Sequence, residues 1–540
     1  MAYGAAQPQP AGRLAYKWKV LISVIFGIFM IILDTTVVNV AFQTIRREYN
    51  TSLNNSQWVI SIYTLALGIA TPLSGFLSDR FGIKRMYVGG LAAFLVGSLL
   101  CGLAPTLSSS IWLLVAARAA QGFGGGIAQP LGSALLFSTF PPKEQGTALG
   151  IFGIALVVAP ALGPILGGFL VDQGLWRWIF FINLPIGLVG VFLANRFLRE
   201  RRPETVPALD PLGLITAVVG FGAVLYAASI AADQGWGAGN VLLWFGVGGV
   251  SLLLFGLIEL FVAKEPLLNL RLFGNPTFLT ASLIGYVTVI GLFGAEFLMP
   301  VYLQALRGRT ALQTGFTLLP LALTSGVITP IAGRLYDRIG PRPLIVTGFA
   351  LLAINTWQLS QIQADTPIST LLMLLALRGA ALGLTVQTTF ATALAAVPRR
   401  ALARGSSLIN GTRFVVQALG VAVLATILAS ALSPEVKAQS QQGREQAAQT
   451  AAQPFGLCET PGVPADQNVP PGVPAFARAQ ALQGVQQACR ENLIGFERAY
   501  RLTFYVALAA VVIGLFMPGW PRAWAGRTAV GDAPPNPSTH

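Results

Sequence analysis

Charge is what this chain has least of. Only 10% of its 540 residues are Asp, Glu, Lys or Arg, where a soluble domain carries roughly 25%. So few charges cannot coat a water-facing surface of this size, which excludes a set of soluble domains. Histidine is almost missing: His540 is the single one, which argues against a metal centre and against imidazole acid–base chemistry. No Gly-rich loop ending in Lys-Ser or Lys-Thr occurs in a polar segment, so ATP is not the expected energy source. None of the polar segments is large enough for an enzyme domain; the chain reads as a non-enzyme without metal or cofactor. Cysteine is scarce as well, with three residues. Cys101 lies in an apolar run. Cys458 and Cys489 fall in one polar segment, where an oxidising compartment permits a disulfide that spacing alone does not decide.

What the chain has instead is apolar sequence, 54% of it. A bilayer core about 30 Å thick needs about 20 mostly apolar residues per helix. Such runs lie near 19–41, 57–78, 86–104, 110–139, 146–171, 179–197, 211–231 and 240–262. Six more lie near 276–303, 311–333, 343–361, 368–392, 405–431 and 499–517. The fold class is therefore an all-α polytopic membrane protein with fourteen transmembrane helices. The first run exceeds a signal-peptide core and lacks a nearby small-residue cleavage site, so it reads as a retained helix.

The net charge of +14 suggests a polyanion until its distribution is read. Placing the N-terminus inside puts Lys17, Lys19, Arg80, Lys84, Arg85, Arg199, Arg201, Arg202, Arg338, Arg399, Arg400 and Arg404 on the cytoplasmic side. The short outer loops keep only Arg46, Arg47, Arg177, Arg307 and Arg309. This is the positive-inside asymmetry; it predicts a multi-pass protein of the inner (plasma) membrane with both termini cytoplasmic, and no nucleic-acid partner.

A self-match gives the architecture. The segment Ala70 to Gly82 resembles Ile328 to Gly340 without a gap, so Gly75 matches Gly333, Asp79 matches Asp337, Arg80 matches Arg338 and Gly82 matches Gly340, all 258 positions apart. Arg118 and Arg378, each inside an apolar run, stand 260 apart. Two such matches predict a duplicated six-helix unit, with parallel halves related about the membrane normal. The expected division is a tail at 1–18, a first six-helix bundle at 19–202 and two inserted helices at 203–264. A second bundle follows at 265–517, interrupted by an Ala/Gln/Pro-rich outer loop at 433–498 with helical pieces expected near 435–453 and 476–495, and a tail at 518–540 closes the chain.

Several segments then resemble one family. The turn Gly75, Asp79, Arg80, Gly82, Lys84, Arg85 is similar to the cytoplasmic signature of the major facilitator superfamily, with Ile83 in place of a basic residue. The run Leu33-Asp34-Thr35-Thr36-Val37-Val38-Asn39 resembles a first-helix signature of the fourteen-helix drug:proton antiporters of that superfamily. Arg118-Ala119-Ala120-Gln121-Gly122 resembles their intramembrane arginine motif. Pro160, Gly163, Pro164, Gly167 and Gly168 resemble the exporter motif, with Ala159 replacing a Gly.

The resemblance implies two six-helix bundles rocking about a central cavity, with Asp34, Arg118 and Glu296 in proton coupling. Asp79 and Asp337, with their neighbouring arginines and glycines, would form the conformational latch, Asp79 meeting the start of a late helix near Gly405-Ser406-Ser407. Physically, a charge inside the bilayer costs about 2.5–3.5 kcal/mol even on insertion scales, so Asp34 is a functional candidate by default. Arg118 favours its charged form, and exclusion of water opposes it. Glu296 either takes a second proton or pairs with Arg307 or Arg309, and Arg413 is a candidate to balance it. Gly-Pro pairs weaken a helical ladder, which suits a hinge. Thr35, Asn39, Gln121, Gln129 and Gln387 are candidates to orient a lipophilic substrate. The aromatic segment around Trp176, Trp178 and Asn183 reads as an outer-interface anchor. The expected partners are protons, membrane lipids and a lipophilic small molecule, acting on a monomer. Export of lipid-like metabolites, proton-coupled import, and a non-transporting sensor or scaffold remain as alternatives.

Overall fold

In the computed structural model, residues 15–200, 210–436, 457–458 and 478–519 are described. The chain there is helical throughout. The first half gives α1 Tyr16–Glu48, α2 Leu53–Phe81, α3 Ile83–Leu107, α4 Ile111–Thr139, α5 Gln145–Asp172 and α6 Trp178–Phe197. Two helices follow, α7 Pro211–Gln234 and α8 Gly239–Leu257. The second half gives α9 Pro276–Val301, α10 Ala311–Ile339, α11 Pro341–Leu359, α12 Ile368–Ala395, α13 Leu402–Ser430 and α14 Arg478–Leu515. Twelve of these are long and apolar enough to cross a membrane. The other two, α9 and α11, pack among the helices of the second half.

Local chemistry sets the helix ends. Ser52, Ser110, Asp210 and Asn275 accept hydrogen bonds from the free N–H groups that open α2, α4, α7 and α9, and Thr310 with Gln313 closes a capping box on α10. The matched turns after α2 and α10 both rest on a left-handed glycine, Gly82 at φ 98° and Gly340 at φ 84°, a conformation that a Cβ opposes. The internal repeat is thus a repeated backbone turn as well as a repeated sequence.

Helices α1 to α6 pack on one another, as do α9 to α14, and the two sets meet along α5–α10 and α2–α13. The pair α7–α8 stands beside this seam, with α7 against both α2 and α13. It is fastened to α13 at two heights. Trp236 Nε1 donates to Thr426 Oγ1 at 2.6 Å. At the far end, buried Glu259 accepts from the backbone N–H groups of Leu267 and Leu268, which fixes the strand of chain that brings Pro266 O within 3.0 Å of Arg404 Nη1.

The last two expected elements merge. The helical piece expected near 476–495 and the span expected near 499–517 form the single helix α14, because no Gly-Pro break separates Arg478 from Leu515. The helical piece expected near 435–453 lies almost wholly outside the described residues. Cys458 and Cys489 are joined in a disulfide across 31 positions. The bond ties the segment to the start of α14, and Cys458 N–H and Leu457 N–H donate to Leu306 O and Ala305 O. The sulfurs are packed with Tyr302 and Phe496. After denaturation without reductant, alkylation with iodoacetamide is expected to mark one thiol, Cys101, and all three only after reduction; mass spectrometry reads the difference, and three labelled thiols without reductant would refute the pairing.

Candidate functional site

Inside the first bundle, α1, α2, α3, α4 and α6 each send a polar group to one point. Asp34 is 0% exposed and Arg118 1%, and Arg118 Nη1 lies 2.5 Å from Asp34 Oδ2. The same nitrogen reaches Gln121 Oε1 at 2.7 Å, and Arg118 Nε donates to Val59 O at 3.1 Å. Asp34 Oδ1 accepts from Gln121 Nε2 at 2.9 Å and Asn183 Nδ2 at 2.8 Å. Both amides also meet Ser98 Oγ, which donates to Phe180 O. The Tyr63 ring lies 4.0 Å from the guanidinium carbon, where its π face adds cation–π attraction. A buried charge pair keeps its place only when the remaining donors and acceptors are also met, and here three donors converge on one carboxylate. Helices α1 and α5 approach closely just above it: a Cβ on Gly163 would sit 2.0 Å from Thr36 Oγ1, so only glycine fits there.

The two acids of the repeat face each other's bundles. Asp337, at the end of α10, accepts from Gly146 N–H and Thr147 N–H at 2.8 Å each, and from Thr147 Oγ1 at 2.6 Å. Those are the orphan donors of the α5 N-terminus, where an acid is favoured. Asp79, at the end of α2, meets the α13 N-terminus instead through Arg404, whose Nε lies 2.5 Å from Asp79 Oδ2. Gly146 and Arg404 are themselves 258 positions apart, so the two seams are copies in which one acid binds backbone and the other a side chain. Ser74 Oγ and Ser407 Oγ, 2.7 Å apart, and Ser406 Oγ with Pro130 O at 2.8 Å extend the first contact. The bundles are therefore closed on each other at this basic end.

Between the seam and the Pro160–Pro164 stretch of α5 lies a small cavity of about 30 Å³. Its walls come from both halves: Gln129 and Ser133 of α4, Phe152 and Leu156 of α5, Gln387 and Phe390 of α12, Asn410 and Arg413 of α13. Gln129 and Gln387 are repeat mates, again 258 apart, so the cavity sits where the pseudo-twofold axis passes. In this conformer it has room for water and not for an organic molecule.

The predicted site residues separate into three groups. Gln121 was expected to orient substrate, yet its amide is held by Asp34, Arg118 and Ser98. Thr35 bonds back to Ile32 O on its own helix and Asn39 is exposed, so neither joins Gln129 and Gln387 at the cavity. Pro160 and Pro164 lie inside α5, Gly167 packs on Val37 O, and Gly168 and Pro164 face Leu312 and Gly315 of α10. Arg338 is exposed and Arg80 lies over the Phe81 ring. The side chain of Glu296 lies outside the described residues. Arg307, one of its two expected partners, donates to Tyr302 Oη and Thr366 O. Arg413 has no acid beside it among the described residues; its neighbour Thr412 meets Tyr286, ten residues before Glu296 on α9, about 15 Å at 1.5 Å per residue. Asn183, Ser98 and Tyr63 were missed. Asn183 lies in the segment taken for an interface anchor, of which Trp178 is exposed but Trp176 is buried.

The sequence model of the Major Facilitator Superfamily matches residues 24–421. A multidrug resistance protein B homolog of Mycobacterium tuberculosis is 33% identical over 403 residues, 73% of each chain. The lincomycin resistance protein LmrB of Listeria innocua is 29% identical over 440 residues, 82% of this chain and 92% of that one. In fold, the solved proton:xylose symporter XylE superposes with a TM-score of 0.57 at 14% identity, covering 93% of this chain and 96% of its own.

Removing one member of the buried pair leaves the other charge unmet. Asp34→Ala or Arg118→Met is expected to destabilise the protein by about 3–5 kcal/mol, and the double variant by clearly less than the sum of both. Unfolding in detergent, followed by circular dichroism, tests this; additive losses would show that the two residues are not coupled.

Proposed function

The chain belongs to the major facilitator superfamily, and on that premise we propose that it exports lipophilic small molecules in exchange for protons, by alternating access. The observation that carries the reading is the buried carboxylate of Asp34 with its three donors. Protonation removes the charge that holds Arg118, Gln121 and Asn183 in one arrangement. Four other helices feel that change through α1, and α1 bears directly on α5 at Gly163 and Gly167. Because α5 also forms the main seam with α10, a proton at Asp34 can bias the packing of one bundle on the other. One proton moving down 100 mV supplies roughly 2.3 kcal/mol. The resistance proteins among the relatives support drugs as the cargo.

We read fourteen spans, adding α9 and α11 to the twelve. Helices α7 and α8 are the inserted pair of residues 203–264, with six-helix bundles on either side and the 433–498 loop outside. The positive-inside rule places the basic end, with both termini, in the cytoplasm of a bacterial inner membrane. The seam at Asp79 and Asp337 is then the cytoplasmic latch, and the protein works as a monomer.

Two measurements test this. In proteoliposomes carrying an internal pH dye, added lipophilic drugs should drive proton movement in the native protein and none in Asp34→Asn; equal signals would remove Asp34 from the proton path. For the latch, a Ser407→Cys thiol sits buried at the seam and reacts only when the seam opens. Adding Arg404→Ala should raise its labelling rate about tenfold, as expected for a charged hydrogen bond. An unchanged rate would leave the Asp79 contact without a latching role.

A further inference from the structure

Arg118, Arg378 and Arg413 lie well inside membrane-spanning helices, and the first two are met by the protein. Arg118 has Asp34, Gln121 and Val59 O. Arg378 donates to Gly291 O and to Asn355 Oδ1. Arg413 differs. Its Nε is buried without a hydrogen-bond partner, and its only described polar attraction is the Phe390 ring, 5.7 Å from the guanidinium carbon. Arginine does not escape this by losing its proton.

Arg413 lines the central cavity, and among the described residues no acidic one does. The other polar wall groups are neutral: Gln129, Ser133, Gln387 and Asn410. Gln387 is only 6% exposed and its Nε2 also lacks a partner, so two residues of the cavity wall each carry a buried donor without a partner. Asn410 already donates its amide hydrogen to Ser406 O. Phe152, Leu156 and Phe390 supply an apolar wall opposite. A fork of donors with no internal acceptor, beside aromatic surface, fits one class of ligand. That ligand is an anion such as a carboxylate, sulfonate or phosphate, joined to an apolar body.

We propose that Arg413 and Gln387 form the polar pole of a binding site for amphipathic organic anions in this cavity. A cationic drug would meet Arg413 with like charge and no carboxylate to offset it, so the site selects against cations. The small volume of the closed conformer requires the bundles to part before such a ligand enters. The inference deepens the exporter reading by naming its substrate charge, and it rests on that reading for the cavity being a transport route.

The test is equilibrium binding, with no gradient, of a matched pair of fluorophores to the full-length protein in nanodiscs. Dansylglycine carries a carboxylate and dansylglycinamide is its neutral twin. The native protein should bind the carboxylate at least tenfold tighter. Arg413→Gln should weaken dansylglycine by about ten- to a hundredfold and dansylglycinamide by less than threefold, with Arg413→Lys in between for the anion. Equal affinity of the native protein for both fluorophores would overturn the proposal, with no variant needed. So would an equal loss of both in Arg413→Gln. Replacing phosphatidylcholine by phosphatidylglycerol in the nanodisc separates the two sources of anion: competition there assigns the pole to lipid headgroups, and its absence to soluble amphiphiles. Anion preference without any drug-driven proton movement would remove the exporter reading and leave the site standing.

Discussion

A charge inside a hydrocarbon layer must find its counterpart within the protein, and this constraint organises the molecule. Asp34, Arg118 and Arg378 are buried where the hydrocarbon offers them no water. Asp34 and Arg118 answer each other and draw in the side chains of Tyr63 from α2, Ser98 from α3 and Asn183 from α6. That convergence explains why α1, α4 and α6 pack as they do around a polar point in an otherwise apolar bundle. It also makes the point sensitive: neutralise one group, and every donor directed at it loses its reason to stay.

The duplicated unit obeys the same constraint with different residues. Where the first half opposes Arg118 with a carboxylate, the positions 258 to 260 further on from Asp34 are Leu292, Phe293 and Gly294, and Arg378 turns to a backbone carbonyl and an amide. Among the described side chains, the carboxylate that meets an intramembrane arginine is the one in the first half. At the seams the reverse holds, because both copies retained the acid, Asp79 and Asp337. There the partner diverged, into Arg404 on one side and bare helix N–H groups on the other. A bond to a side chain can be broken by rotamer change, whereas a cap on a helix N-terminus breaks only when the helix itself moves.

The helix pair α7–α8 adds to this asymmetry. Its contacts with α13, through Trp236 at one end and the Pro266 turn at the other, bear on the helix that carries both Arg404 and Arg413. Glu265 Oε2 stands 3.7 Å from Arg404 Nη2 as well, so the connection out of the pair shares the cation of the Asp79 seam. Helices α7 and α8 are thus tied to the helix that lines the cavity at Arg413, and none of their described residues lines it.

The sequence by itself determined the environment, the repeat and the identity of the buried charges. Apolar runs of membrane length, the bias of Lys and Arg to one side, and the 258-residue offset each follow from local composition, which a bilayer reads directly. Asp34, Arg118, Asp79 and Asp337 stood out because a charge in an apolar run, or a repeated acid at a turn, is costly to keep without reason. Which groups meet was decided only by tertiary structure. Asn183 sits 149 positions from Asp34 and Arg404 325 from Asp79, distances over which sequence carries no pairing signal. Gln121 and Gln129 look alike on one helix, and only the packing of α1 and α6 assigns one to the charge cluster and leaves the other at the cavity. Arg413 shows the same limit: its charge is legible in the sequence, but that its Nε has no partner among the described residues depends on every helix around it.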